Sequence, residues 1–145
     1  LKRIIRTLPH DTVFNVMIFW NDRKLALKKP GRGRGDLQTA LEFVGGISLQ
    51  DGTDHWAALC TAFEMYGEAT PKGNLPRIDF DTIFLISDGV PSQGLRDPDL
   101  LLERLADLNR FRKIAIHTIA LETGGTGSRF LTRIAEVTGG RYAKR

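Results

Sequence analysis

The chain is poor in the residues that usually announce chemistry. It has 145 residues and one cysteine, Cys60. A single thiol excludes an internal disulfide framework and leaves the redox compartment open. Cys60 sits at helical spacing among Ala57, Leu59 and Phe63, so it reads as a packed structural thiol rather than a nucleophile. His10, His55 and His117 form no zinc-like spacing with each other or with Cys60. Apolar runs fall well short of the ~20 residues that span a bilayer. The chain opens on Leu1-Lys2-Arg3 rather than Met, so nothing about targeting follows. Repeats, heptads and low-complexity tracts are missing too. Ser87 and Ser92 lack the Gly-x-Ser-x-Gly elbow of a hydrolase. Gly31, Gly33 and Gly35 lack dinucleotide-binding spacing, and Gly124-Gly125-Thr126-Gly127 lacks the lysine of a phosphate loop. Asp79-Phe80-Asp81 has the spacing of a phosphatase nucleophile but precedes its strand, on the wrong end for that chemistry.

Apolar content of 41% and charged content of 26% suit one globular domain with a proper core. The net charge is +4, with basic clusters at Lys2–Arg6, Arg23–Arg34 and Arg141–Arg145. Lys28-Lys29-Pro30-Gly31-Arg32-Gly33-Arg34-Gly35 has the composition of a phosphate grip. No aromatics interleave with its arginines, so it reads as a solvated connection, and no specific nucleic acid is expected as a partner. What stands out is Thr82 to Ile86, an apolar, β-prone run that stops at Asp88-Gly89. Ligands bind at the carboxyl ends of strands in open α/β sheets. Asp51-Gly52-Thr53-Asp54 is a tight turn that delivers a hydroxyl to the start of a helix. An acid and a hydroxyl, both hard oxygen donors, suggest a site for a divalent cation such as magnesium.

Hydrophobic periodicity orders the rest. Leu1–Leu8 reads as the end of a helix, with Ile4, Ile5 and Leu8 inward. Val13–Trp20 reads as a strand, and Lys24–Lys28 as a short antiparallel edge strand after the Asn21-Asp22 turn. Asp36 caps a helix bearing Leu37, Ala40, Leu41 and Val44, closed by Gly45-Gly46. Another helix runs from about Asp54 to Tyr66, and a surface loop follows over Thr70–Arg77. After the strand that ends at Asp88, Asp97-Pro98 starts a helix through Arg112 with Leu101, Leu105, Leu108 and Phe111 inward. Ile114–Leu121 is a strand and Thr123–Gly127 a loop. Ser128 caps a last helix carrying Phe130, Leu131, Ile134 and Ala135, and Arg141–Ala143 is the final strand. His55 is expected on the solvent face of its helix, His117 packed in its strand, and Trp56 in the core. Strands alternating with helices predict an α/β, Rossmann-like three-layer α/β/α fold: a mostly parallel sheet with one antiparallel edge strand.

This order and these turns resemble the von Willebrand factor type A family. The carrying segments are Ile86-Ser87-Asp88-Gly89-Val90-Pro91-Ser92, Asp51-Gly52-Thr53-Asp54 with Ala58-Leu59, and Phe130-Leu131, Ile134-Ala135 with Thr138-Gly139-Gly140-Arg141-Tyr142. Together they cover nearly the whole chain. The resemblance implies a metal-ion-dependent adhesion site. In it an Asp-x-Ser-x-Ser turn, a threonine and a strand-ending acid hold magnesium (or manganese or calcium), and a partner protein's carboxylate completes the shell. Thr53 matches the threonine ligand and Asp88 the acid. Asp54 matches no ligand and is read as a helix cap or a neighbour of the site. Ser87 is expected to pack or bond locally, and Ser92 to shape the partner surface.

Asp-x-Ser-x-Ser is absent from the chain. The expectation is a single type A domain over residues 1–145, N-terminally incomplete, whose first strand lies upstream. The resemblance makes that strand central. Losing it removes about ten ladder bonds at roughly 0.5–1.5 kcal/mol each, comparable to a domain's whole stability of ~5–15 kcal/mol. Direct pairing of its two neighbours is the competing expectation. Two donors with one charge hold magnesium weakly or not at all in this stretch. The leading function is thus a non-enzymatic protein-interaction module. Its rivals are a scaffold with a non-functional metal site and a magnesium-dependent hydrolase or phosphoryl-transfer enzyme.

Overall fold

The computed structural model describes residues 1–48, 50–64, 80–121 and 125–145. The predicted helix end at Tyr66, the loop at 70–77, Asp79, and residues 123 and 124 lie outside them. In chain order the elements are α1 (Lys2–Arg6), β1 (Met17–Phe19), β2 (Arg23–Leu25), α2 (Gly33–Gly45), α3 (His55–Glu64), β3 (Thr82–Ser87), α4 (Pro98–Asn109), β4 (Ala115–Ala120), α5 (Gly125–Thr138) and β5 (Tyr142–Lys144). The class is α/β, as expected. β3, β4 and β5 form a parallel sheet in that order, with Thr82 opposite Ala115 and Ser87 opposite Ala120. β1 and β2 form a separate antiparallel pair, Met17 opposite Leu25. Among the described residues the two sheets are not joined, and β1 does not pair with β3.

The main core lies on one face of the parallel sheet. Leu85, Ile116 and Ala120 meet Leu59 and Phe63 of α3, Leu101, Leu102 and Leu105 of α4, and Phe130, Leu131 and Ile134 of α5. Each fully buried Leu, Ile or Phe contributes about 1.5–3 kcal/mol. A smaller core joins Ile5 of α1 and Ala40 of α2 to Val16 beside β1.

Several element ends differ from expectation. The strand predicted over Val13–Trp20 is regular only at Met17–Phe19. Asn15 takes over the ladder before it: its Oδ1 accepts from the Val16 and Leu27 amides at 2.8 and 3.1 Å, and its Nδ2 donates to the Leu27 carbonyl at 2.9 Å. α2 starts at Gly33 rather than after Asp36, and the Asp36 carboxylate reaches back to accept from the Arg32 amide at 2.7 Å. α5 starts at Gly125, so Ser128 lies inside it rather than at its cap. α4 starts as predicted, with Asp97 accepting from the Asp99 and Leu100 amides at 2.9 and 3.2 Å and Pro98 in the first turn. It ends at Asn109, not Arg112. The Asn109 side chain clamps both backbone groups of Ile114 at 2.8 Å, so the chain leaves the helical path. Phe111 therefore points outward, 85% exposed, instead of inward.

Candidate functional site

The rim at the carboxyl ends of β1 and β3 is assembled from three loops. Trp20, directly after β1, accepts from the Asp54 amide at 2.9 Å. Thr53 accepts at its carbonyl from the Ser92 and Gln93 amides at 3.1 and 3.3 Å, and its own amide donates to Ser92 Oγ at 2.9 Å. Ser92 lies four residues past Asp88 in the loop that leaves β3. These bonds tie the threonine turn to the end of β1 on one side and to the loop after Asp88 on the other. Both strands therefore run toward the same rim.

Two glycines let these loops close. Gly52 has φ +83°, and a Cβ there would stand 1.7 Å from the Asn21 side-chain oxygen. Gly94 has φ +64°, and a Cβ there would stand 2.2 Å from an Asp54 carboxylate oxygen. Both positions sit in the left-handed region that glycine enters without steric cost. Asp54 is the cap of α3, accepting from the Ala57 amide at 2.9 Å. That leaves the Thr53 hydroxyl outside the capping role.

Asp88 is exposed and Thr53 half-buried, and both line the same groove between the two sheets. Ser87, the last residue of β3, turns the other way and is buried. Its hydroxyl accepts locally from the Gly89 amide at 3.4 Å, as expected, and also meets His55 Nε2 at 3.0 Å, a contact across 32 residues.

His55 is the largest departure from the sequence reading. It is not on the solvent face of α3 but fully buried, at 0% exposure. The Phe19 and Phe130 rings meet it edge-on at 5.4 and 5.3 Å. Its Nδ1 has no hydrogen-bond partner among the described residues. Burial pulls its pKa from 6.5 down to about 4, against the opposing pull of the Asp54 and Asp88 charges. A second N–H has no acceptor at Nδ1, and charging a ring in an apolar pocket is costly. The neutral ring therefore links β1, α3, β3 and α5 directly beneath the rim. The only sequence signal for it was its place beside Ala58, Leu59 and Phe63, in the first turn of an apolar helix.

The remaining candidates take structural places. His117 is half-buried, stacked 5.2 Å from the Phe84 ring, and its Nδ1 accepts from the Arg141 amide at 3.0 Å. Trp56 packs against the main core. Burial pushes the Cys60 thiol up, with the Glu64 and Asp54 charges adding to the effect, which disfavours the thiolate a nucleophile needs. Among the described residues no group of three or more His, Cys, Asp or Glu is arranged to hold a metal ion. Magnesium takes about six oxygens. One carboxylate from Asp88 and one hydroxyl from Thr53 would not by themselves fill such a set.

The sequence pattern of the von Willebrand factor type A domain matches residues 1–144. The chain belongs to that family. It is also 28% identical over 104 residues to human von Willebrand factor A domain-containing protein 3A, a match covering 71% of this chain and 8% of that protein. The chain thus spans under a tenth of the length of this curated relative. Type A domains generally serve as protein-interaction modules and are typically not enzymes. No helix among the described residues is long and apolar enough to cross a membrane.

Proposed function

We propose that this type A domain binds a partner protein at the rim formed by residues 51–54 and 88–94, and that an acidic group of the partner is received there through a divalent cation. Asp88 supplies a carboxylate and Thr53 a hydroxyl. Magnesium is the first choice of cation, with manganese or calcium as substitutes. The observation that carries this reading is the direct bonding of the Thr53 turn to the loop after Asp88, with the Asp88 carboxylate left exposed. The cation needs further oxygen donors beyond these two, from water or from other residues. With one charged and one neutral donor, residues 1–145 alone bind it weakly or not at all.

Magnesium titration by calorimetry tests the proposal. The full-length protein should bind the ion, and Asp88→Ala and Thr53→Ala should each weaken binding at least tenfold. Unchanged binding in both variants refutes the ligand assignment. Equal tight binding by residues 1–145 refutes the need for further donors.

A second reading is a scaffold of the same fold whose metal site is not functional. It is favoured by the lack of any three-ligand cluster among the described residues. Partner capture that survives chelation selects it over the first.

A further inference from the structure

Asp88 is exposed, so its carboxylate takes its place from the backbone on either side of it. That backbone is fastened at two points to the segment that begins α3. Beyond Asp88, Ser92 Oγ accepts from the Thr53 amide at 2.9 Å, and the Ser92 amide donates to the Thr53 carbonyl at 3.1 Å. Before it, Ser87 Oγ meets His55 Nε2 at 3.0 Å. Asp88 therefore lies between two serines held by residues 53 and 55. The turn that joins those serines contains Gly89, which gives it no stiffness of its own.

The fastening at Ser87 is the rigid one. The Ser87 carbonyl also accepts from the Leu121 amide, directly after β4, at 2.9 Å. The Gly89 amide donates to the Ser87 hydroxyl at 3.4 Å, so the turn closes on the atom that His55 holds. His55 is itself fixed in place, fully buried with the Phe19 and Phe130 rings edge-on at 5.4 and 5.3 Å. Its two nitrogens are unequal. Nδ1 has no partner among the described residues. A buried N–H without an acceptor is rarer than a bare lone pair, so the proton belongs on Nε2, which donates to Ser87 Oγ. A leucine would fill this apolar pocket and leave no polar atom unpaired. The fold instead keeps an imidazole whose other nitrogen bonds nothing, at a cost in stability. What the imidazole supplies and leucine does not is the donor beneath Ser87.

We infer that His55 is a positioning residue for the rim: its Nε2–H holds Ser87 Oγ and thereby sets where Asp88 stands relative to Thr53. The consequence for a cation rests on the reading proposed above, whereas the effect on the turn does not. Magnesium demands near-octahedral geometry with oxygens at about 2.0–2.1 Å. A turn free to swing at Asp88 loses that geometry while the core around it stays intact.

Full-length protein carrying His55→Leu, His55→Gln or Ser87→Ala tests this by two readouts. The first needs no cation. Residue-resolved hydrogen exchange at the Gly89 amide should be at least ~10-fold faster in His55→Leu than in the native protein. Ser87→Ala removes the acceptor itself and marks the upper limit. The second readout is magnesium titration by calorimetry. His55→Leu and Ser87→Ala should each weaken binding ~10-fold, the usual effect of losing an outer partner that orients a ligand. The double variant should bind no more weakly than either single one, because both break the same bond. The urea midpoint of His55→Leu should equal or exceed the native one, a split that a merely structural role does not produce. His55→Gln, whose side-chain Nε2 also donates, should recover most of both readouts.

Native exchange at Gly89 in His55→Leu overturns the inference, as does a His55→Gln variant that behaves like His55→Leu. So does a loss of magnesium binding that merely tracks a fallen urea midpoint. Should His55→Leu not fold, Ser87→Ala carries the test: weaker magnesium binding at a native midpoint supports the inference, and unchanged binding overturns it. If Asp88→Ala abolishes magnesium binding while His55→Leu leaves it intact, the inference falls and the cation reading stands. If Asp88→Ala leaves magnesium binding unchanged, the cation reading falls, and exchange at Gly89 alone decides the role of His55.

Discussion

The burial of His55 makes the stability of this domain depend on pH in a defined window. The ring's pKa is 6.5 when the chain is unfolded and about 4 in the folded state. Above pH 6.5 the ring is neutral in both states and contributes no pH dependence. Between pH 6.5 and about 4 the unfolded chain binds a proton that the folded chain refuses, so stability falls as pH falls. Below about pH 4 the loss is complete. At 1.36 kcal/mol per pH step, the full window amounts to about 3 kcal/mol. That is a large share of a domain's ~5–15 kcal/mol. Other groups also titrate in this range, so the effect is isolated by comparing the native protein with His55→Gln, which cannot titrate. Urea unfolding at pH 7.5, 6.5, 5.5 and 4.5 should show the two stabilities converging on acidification, by about 3 kcal/mol in all. A constant offset between the curves would refute the reasoning. So would an NMR titration in which the His55 ring protonates near pH 6.5 in the folded protein.

Other substitutions probe the elements that hold the rim in place. Leu105→Ala empties a fully buried position in α4 and should cost about 2–5 kcal/mol by chemical denaturation. Asp97→Ala removes the acceptor for two amides at the start of α4 and should cost about 1 kcal/mol, with Asp97→Ser recovering most of it. Gly94→Ala forces a side chain into the left-handed region and drives a methyl against the Asp54 carboxylate. It should cost about 1–2 kcal/mol from backbone strain alone, with a further loss where the α3 cap is displaced. Unchanged unfolding midpoints in this variant would show that the loop after Asp88 is not pressed against the α3 cap.

The local elements were legible because their causes are local. Thr82–Ser87 and Ala115–Ala120 are β-prone apolar runs bounded by turn residues. Asp97-Pro98 carries its own cap and its own fixed φ. Phe130, Leu131, Ile134 and Ala135 recur at helical spacing and are all buried. The threonine turn and the strand-ending acid were likewise visible as residue types at loop ends.

Tertiary structure decided what those elements do to one another. Periodicity describes a helical face only while the helix lasts. The Asn109 clamp ended α4 early and sent Phe111 to solvent. Hydropathy ranks histidine as polar, yet Phe19, Phe130 and Ser87, brought from three distant segments, made a closed apolar pocket around His55. Asn15 replaced backbone pairing with its side chain because Leu27 of the neighbouring segment stood opposite it. The sequence by itself determined the α/β class and the chemical character of the rim, since composition and short-range pattern suffice for both. Which loops meet at that rim, and which strands pair with which, depended on contacts between residues dozens of positions apart, and such contacts leave no periodic trace in the linear order.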